Sequence, residues 1–358
     1  MVATTQPLVA GMTRQNPPIA IGVDNGAGLV KLVMGSGVQQ MRIRTPAKVY
    51  EVRDELDDVL SSKEGGHFFY HDGERTDLLG REFLTGTLAA WKAPATHIKL
   101  SDDPALKVEY CLHTLLGALG TLPHRQEWHL YLVLSIHAKV FRDALAQKVR
   151  GMHIVSFNGK STPTTRVHLN VSLVAPEGAG SYAYCNATKP EPLIDRTAHV
   201  IAVDFGTSTV IPTVFAPGGK IIHRKVLEVG GCIDLLDAIA ADPELIAFLG
   251  KGKAGSVETV RQGIENKSFQ YGTRPFNFKN IYARHLTPWL SARLRLVEKE
   301  VEEWKDAAQS FIAWGGGVEM PGVAQKLTAR GITAVPDGCW ANAIGLQRMA
   351  EGRLARGN

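Results

Sequence analysis

One short pattern occurs twice in this chain, and it restricts the fold more than any other feature. Ile21-Gly22-Val23-Asp24-Asn25-Gly26-Ala27-Gly28 aligns with Ala202-Val203-Asp204-Phe205-Gly206-Thr207-Ser208: Val-Asp matches Val-Asp, and Gly26 matches Gly206. An apolar, strand-like run precedes each copy and another follows it, Ile19 to Val23 with Leu29 to Met34, and the two halves of Val200 to Phe215. Dinucleotide and Walker-type loops need a helix directly after the glycines, because the helix N-terminus holds the phosphate. Here the order is strand, loop, strand, and Gly22, Gly26 and Gly28 do not make GxGxxG. The remaining reading is a hairpin tip whose backbone N–H groups form a concavity for anions.

A duplicated strand–Asp–x–Gly–strand unit, its copies 180 positions apart from Asp24 to Asp204 and so about one domain length, implies two related halves facing a common cleft. Small side chains at Gly26, Ala27, Gly28, Gly206, Thr207 and Ser208 leave backbone N–H groups accessible to phosphate oxygens. Lys31 adds a mobile positive charge, and Asp24 and Asp204 suit Mg²⁺, which keeps several waters and takes one or two carboxylates. Taken singly, these residues have plainer explanations. Asp24 serves equally as a turn cap, Gly315 to Gly317 as a loop needing positive φ, and Glu177 as a solvated residue at a helix start.

The other elements follow from periodicity. Val38 to Arg44 reads as a third extended segment after a turn at Gly35-Ser36-Gly37. Thr45 to Lys99 is mixed and polar and reads as a smaller insertion on the first domain. Helices are expected over Ala105 to Leu119, Val140 to Val149, Cys232 to Leu249, Val257 to Phe269, Leu286 to Gln309 and Trp340 to Arg356. Trp128 to Ile136 reads as a buried strand, and His153 to Phe157 with Arg166 to Val174 as a hairpin at the sheet edge, turning at Asn158-Gly159. Pro176 to Gly180 leads into a helix, Lys189 to Arg196 joins the halves, and Phe311 to Trp314 is a strand ending in three glycines.

Composition removes several alternatives. The 40 basic and 35 acidic residues are interleaved and leave a net charge of +5, so no direct contact with nucleic acid is expected. No apolar run approaches the ~18 residues of a membrane span. Met1 to Pro18 is polar, lacks the core of a signal peptide, and reads as an arm. Cys111, Cys185, Cys232 and Cys339 form no CxxC pair and read as buried reduced thiols, which places the chain in the cytoplasm.

Five glycine-bearing junctions in this order resemble the actin family, which also includes heat-shock chaperones and sugar kinases. DNGAGLVK, Asp24 to Lys31, resembles the first phosphate loop, with alanine where serine is common. PEGAGSY, Pro176 to Tyr182, is similar to the first connecting segment of the ParM-type actins that segregate bacterial plasmids. VDFGTST, Val203 to Thr209, resembles the second phosphate loop; WGGG, Trp314 to Gly317, the adenosine motif; and ANAIG, Ala341 to Gly345, the second connecting helix. Val155 to Lys160, followed by a strand and then PEG, favours the ParM-like branch. Ser135-Ile136-His137 stands where plasmid actins often have Gly-Leu-Pro, and Thr209-Val210-Ile211 where many relatives have another Asp.

The resemblance implies an α/β, actin-like fold of two duplicated domains with mixed sheets flanking a nucleotide cleft. The expected division is an arm at 1–18, domain I at 19–195 with its insertion at about 45–100, domain II at 196–340, and a C-terminal helix at 341–358 returning to domain I. It implies ATP or GTP with Mg²⁺ as ligands, with slow hydrolysis coupled to head-to-tail filament assembly. Asn25, Gly26, Ala27, Gly28, Lys31, Gly206, Thr207, Ser208 and Gly315, Gly316, Gly317 would contact the nucleotide. Asp24 and Asp204 would hold the metal through water, and Glu177 would orient or deprotonate the attacking water. Val257 to Phe269 would form the other wall of the base pocket. A DNA-binding adaptor protein is the partner expected for plasmid segregation. The alternative within the same superfamily is a non-polymerising ATPase, such as a small-molecule kinase or a division scaffold. No clear catalytic and sugar-binding set marks a kinase, and a chaperone would need a substrate domain beyond Asn358.

Overall fold

The computed structural model describes residues 17–35, 40–54, 56, 61–188, 191–227, 229–250 and 252–357. Most of the expected N-terminal arm, the turn at Ser36-Gly37 and part of the Lys189 to Arg196 connection lie outside the described residues. The first half contains β1 (Ile19–Asn25), β2 (Leu29–Met34), β3 (Met41–Pro46), β4 (Lys48–Val52), β5 (His67–Gly73), β6 (Glu82–Thr85), α1 (Gly86–Lys92) and β7 (Ile98–Lys99). It continues with α2 (Leu106–Glu109), α3 (Cys111–Leu119), β8 (Glu127–Ile136), α4 (Arg142–Val149), β9 (Gly151–Phe157), β10 (Thr164–Pro176) and α5 (Ala179–Asn186). The second half contains β11 (His199–Phe205), β12 (Val210–Phe215), β13 (Ile221–Arg224), α6 (Cys232–Ala240), α7 (Pro243–Leu249), α8 (Val257–Glu265) and α9 (Lys279–Glu300). It closes with β14 (Ala308–Trp314), α10 (Val323–Thr328), β15 (Thr333–Ala334) and α11 (Gly338–Ala355).

The repeat in sequence is a repeat in topology. One sheet begins in the order β3-β2-β1-β8-β10, and the other is β13-β12-β11-β14-β15. In each, three antiparallel strands are followed by two that run parallel to the central one. Parallel strands are covered on both faces, which is why Leu130 to Ile136 on β8 is buried throughout. Chain between 48 and 99 does not fold as a separate unit. Its strands extend the first sheet through β9, in the order β9-β5-β6-β4-β7, to ten strands in all.

Three expectations change, the first being the helix over Cys232 to Leu249, which forms as α6 and α7 with Asp242 capping the second. The β9–β10 hairpin forms as Asn158-Gly159 predicts, but it lies inside the sheet, because β10 also pairs with β8 and β9 with β5. The long helix runs over Lys279–Glu300 rather than Leu286 to Gln309; it carries Pro288 inside, and Ala308 already belongs to β14. The Asn277 carboxamide accepts a hydrogen bond from Lys279 N at 3.0 Å, at the helix start. All four cysteines are free, with Cys111, Cys185 and Cys339 buried and Cys232 half-buried. Among the described residues no helix is long and apolar enough to cross a membrane.

Helices α5 and α11 cross where both chains have glycine. A Cβ on Gly345 would overlap the Gly180 carbonyl, and one on Gly180 would overlap Asn342. Gly22 on β1 likewise lies against the Ala343 carbonyl and Gln347, so α11 rests directly on the strand that leads to Asp24.

Candidate functional site

The tips of the two duplicated hairpins meet. A Cβ on Gly28 would lie 2.5 Å from Thr207 Oγ1, so glycine is what lets the first loop reach the second. The second loop is held from behind by the start of α6: Cys232 N donates to the Gly206 carbonyl at 3.0 Å and Ile233 N to the Thr207 carbonyl at 2.9 Å. Gly315, with φ at +93°, turns the chain after β14 against the same hairpin, where a Cβ would come 2.5 Å from Asp204 Oδ1. Around Gly316 there is open space, while Gly317 packs on Cys232 and Phe205.

The two acids stand at equivalent places in different surroundings. Antiparallel pairing sets Asp24 opposite Lys31 on β2, and Asp204 opposite Ile211 on β12. Directly opposed side chains share a face. Asp24 therefore has a cation, with Lys31 Nζ at 3.0 Å from Oδ2. Its Oδ1 accepts from Asn342 Nδ2 at 2.8 Å and Ser135 Oγ at 3.2 Å. Burial pushes the Asp24 carboxyl up, but the Lys31 charge and the Asn342 hydrogen bond outweigh it and hold it below the usual range. Lys31 is likewise raised against its own burial, chiefly by Asp24. It is a fixed partner of Asp24 and not the mobile charge expected from the sequence.

Asp204 has no such support. Among the described residues no hydrogen bond or ion pair reaches its carboxylate. Burial first, then the neighbouring charges of Asp24 and Glu177, push it up to about 7, with Lys31 and Arg224 opposing. Asp204 is half-buried, and a partly desolvated carboxylate without a partner is costly when ionised. Its oxygens are the hard, anionic donors that Mg²⁺ takes, so the donor set fits that ion.

Glu177 follows β10, and Gly178 at φ +89° turns the chain into α5. Its carboxylate is held between Lys107 Nζ at 2.9 Å and Arg224 Nη2 at 3.5 Å, and Arg224 also donates to the His137 carbonyl at 2.9 Å. Because Arg224 lies on β13 and Glu177 follows β10, this contact joins the two sheets across the cleft. A second bridge, Arg44 to Glu265 at 3.5 Å, joins β3 to α8. Asn25 is placed otherwise than expected: its side chain turns inward, and Nδ2 donates to the Lys107 carbonyl at 2.7 Å, fixing α2 and with it the cation on Glu177.

Four contributors were missed by sequence reasoning: Lys107, Ser135, Arg224 and Asn342. Lys107 had a signal, as the one basic residue in the apolar stretch Leu106 to Leu119. Ser135 and Asn342 meet only through the fold, 207 positions apart.

Residues 22–180 match the family described as the N-terminal domain of actin-like proteins. No curated protein sequence matches the chain. Solved structures similar to it include Bacillus thuringiensis ParM with ATP, with a TM-score of 0.69 and 15% identity over 96% of this chain and 100% of that one. An archaeal actin homologue matches with a TM-score of 0.68 and 17% identity, covering 93% and 99% of the two chains. A ParM subunit from a 15-stranded Clostridium botulinum filament matches with a TM-score of 0.67 and 14% identity, covering 94% and 100%.

Proposed function

We propose that this chain, an actin-like protein by its N-terminal domain and its fold, is an ATPase or GTPase that binds Mg-nucleotide between its two hairpin tips, hydrolyses it slowly and assembles head to tail into filaments. The observation that carries this reading is the contact of Gly28 with Thr207 beside an unpartnered Asp204. Two anion-binding loops at one point, with a free carboxylate between them, suit a metal-bound polyphosphate better than any neutral ligand.

Backbone N–H groups of Gly26, Ala27, Gly28, Gly206, Thr207 and Ser208 cradle the phosphates, and Lys31 faces the same charge while tied to Asp24. Asp204, with Asp24 nearby, would hold the hydrated metal, which when bound would neutralise developing charge on the phosphate oxygens. Glu177 orients the attacking water. Lys107 and Arg224 position its carboxylate, the group offered as proton acceptor. Gly315 to Gly317, with open space at Gly316, admits the purine. Nucleotide state acts on the angle between halves through the Arg224 and Arg44 bridges. ParM with ATP and a ParM filament are among the similar structures, which supports assembly, a heterologous contact that does not close. Plasmid segregation through a DNA-binding adaptor, in the cytoplasm, is the biological role proposed.

Light scattering of the pure protein should rise with Mg-ATP or Mg-GTP above a critical concentration. Flat traces with every nucleotide, across salt and crowding agents, would remove the filament reading. Glu177→Ala should retain nucleotide binding and release phosphate about 100-fold more slowly; unchanged turnover would reassign that residue.

A further inference from the structure

At the opposite end of β8 from the hairpin tips, three side chains converge. Glu127 and His129 are two residues apart on β8 and so share a face, and parallel pairing sets His129 beside His168 of β10. The two imidazoles stack with centroids 4.5 Å apart and planes within 1°. Each presents Nε2 to the same carboxylate: His168 Nε2 lies 2.9 Å from Glu127 Oε1, and His129 Nε2 lies 3.2 Å from Oε2.

One hydrogen-bonded ring would satisfy an ordinary surface carboxylate. Here the second ring is also drawn in, and His129 Nε2 is closed off from solvent with no well-formed hydrogen bond among the described residues. The three ligand atoms lie within 4.8 Å of one another. Around an ion with bonds of about 2.0–2.2 Å, tetrahedral ligand atoms sit roughly 3.4 Å apart, so the nitrogens are close enough once the two imidazoles tilt out of their parallel stack to aim both lone pairs at one ion. This is the one group of three or more such side chains among the described residues.

We propose that Glu127, His129 and His168 bind a divalent transition ion of the zinc class, with the fourth position left to water on the side lined by Pro18 and Asn170. Two imidazoles and a carboxylate select zinc-class ions over Mg²⁺, which prefers oxygen alone. His129 is six residues from Ser135, about 20 Å along the strand, and Ser135 touches Asp24. The site is therefore separate from the proposed hydrolytic metal and does not depend on the nucleotide reading.

The test is calorimetric titration of the full, metal-stripped chain with Zn²⁺, followed by Co²⁺ as an optical reporter. One ion per chain is expected, with the visible absorption of four-coordinate Co²⁺. His129→Ala and His168→Ala should each weaken Zn²⁺ by at least about 100-fold, since loss of an outer-shell group alone costs up to that. Metal-free melting and Mg-nucleotide turnover should not change. Should either alanine variant unfold, Glu127→Gln in the same titration decides, with at least about tenfold weakening expected. No saturable binding, or binding undiminished in a His129→Ala/His168→Ala double variant because others of the 12 histidines hold the ion, overturns the proposal.

Discussion

Replacing Asp204 with Asn should make the ligand-free protein more stable, and increasingly so as pH rises. The folded carboxyl titrates at about 7 against 3.8 when unperturbed. A carboxyl raised on folding costs nothing while both states are protonated. Between about pH 4 and 7 the folded state holds a proton the unfolded state has released, so stability falls by about 1.4 kcal/mol per pH unit, and it levels off above 7. The full penalty is up to about 4 kcal/mol, and about 3 of it accrues between pH 5 and 8.5. Parent protein alone will not display this slope. His113 and His153 are pushed down by burial to about 3 and about 4, so each adds stability as pH rises toward 6.5. The difference curve, Asp204→Asn minus parent, cancels both. Urea denaturation at pH 5 and 8.5 should show the variant gaining about 3 kcal/mol over the parent between those points. Saturating Mg-nucleotide should reverse the order, because only the parent offers the carboxylate. A difference that stays constant with pH would refute the account of Asp204 as a desolvated, unpartnered acid.

Three further outcomes follow from the same geometry. Ile211→Lys would set opposite Asp204 the cation that Lys31 gives Asp24; it should abolish Mg-dependent nucleotide affinity, and retained affinity measured with and without Mg²⁺ would break the parallel between the halves. Lys107→Met removes the closest cation from Glu177 and should slow phosphate release by about tenfold or more with nucleotide affinity retained; an equal loss of affinity would indicate general damage. Gly345→Leu forces α5 and α11 apart and should cost at least about 3 kcal/mol in denaturation, overpacking at a backbone contact; a near-neutral result would mean the crossing is loose.

Legibility in the sequence tracked the range of the interaction. Hairpins β1–β2 and β11–β12 were readable because strand, acid and glycine lie within a dozen residues, and their pairing carries the contrast between Lys31 and Ile211. The turn at Asn158-Gly159 fixed the partner of β10 on one side but said nothing about β8 on the other, hence the misplaced sheet edge. Pro288 hid the first turns of α9, since proline inside a helix is disfavoured locally and tolerated only in tertiary context. The ring of groups around the acids was the least readable part. Asn342 reaches Asp24 from 318 positions away, and Arg224 reaches Glu177 from the other sheet. No local pattern announces either.

Helix α11 carries Asn342 onto the Asp24 carboxylate, Gly345 onto the α5 backbone, and Gln347 onto the Gly35 carbonyl just beyond β2. Three fixings within six residues pin this helix both to the first hairpin and to α5, leaving little room for it to slide. A displacement of the Asp24 carboxylate is therefore coupled to α11 through the Asn342 hydrogen bond, and from there to α5 through the glycine crossing.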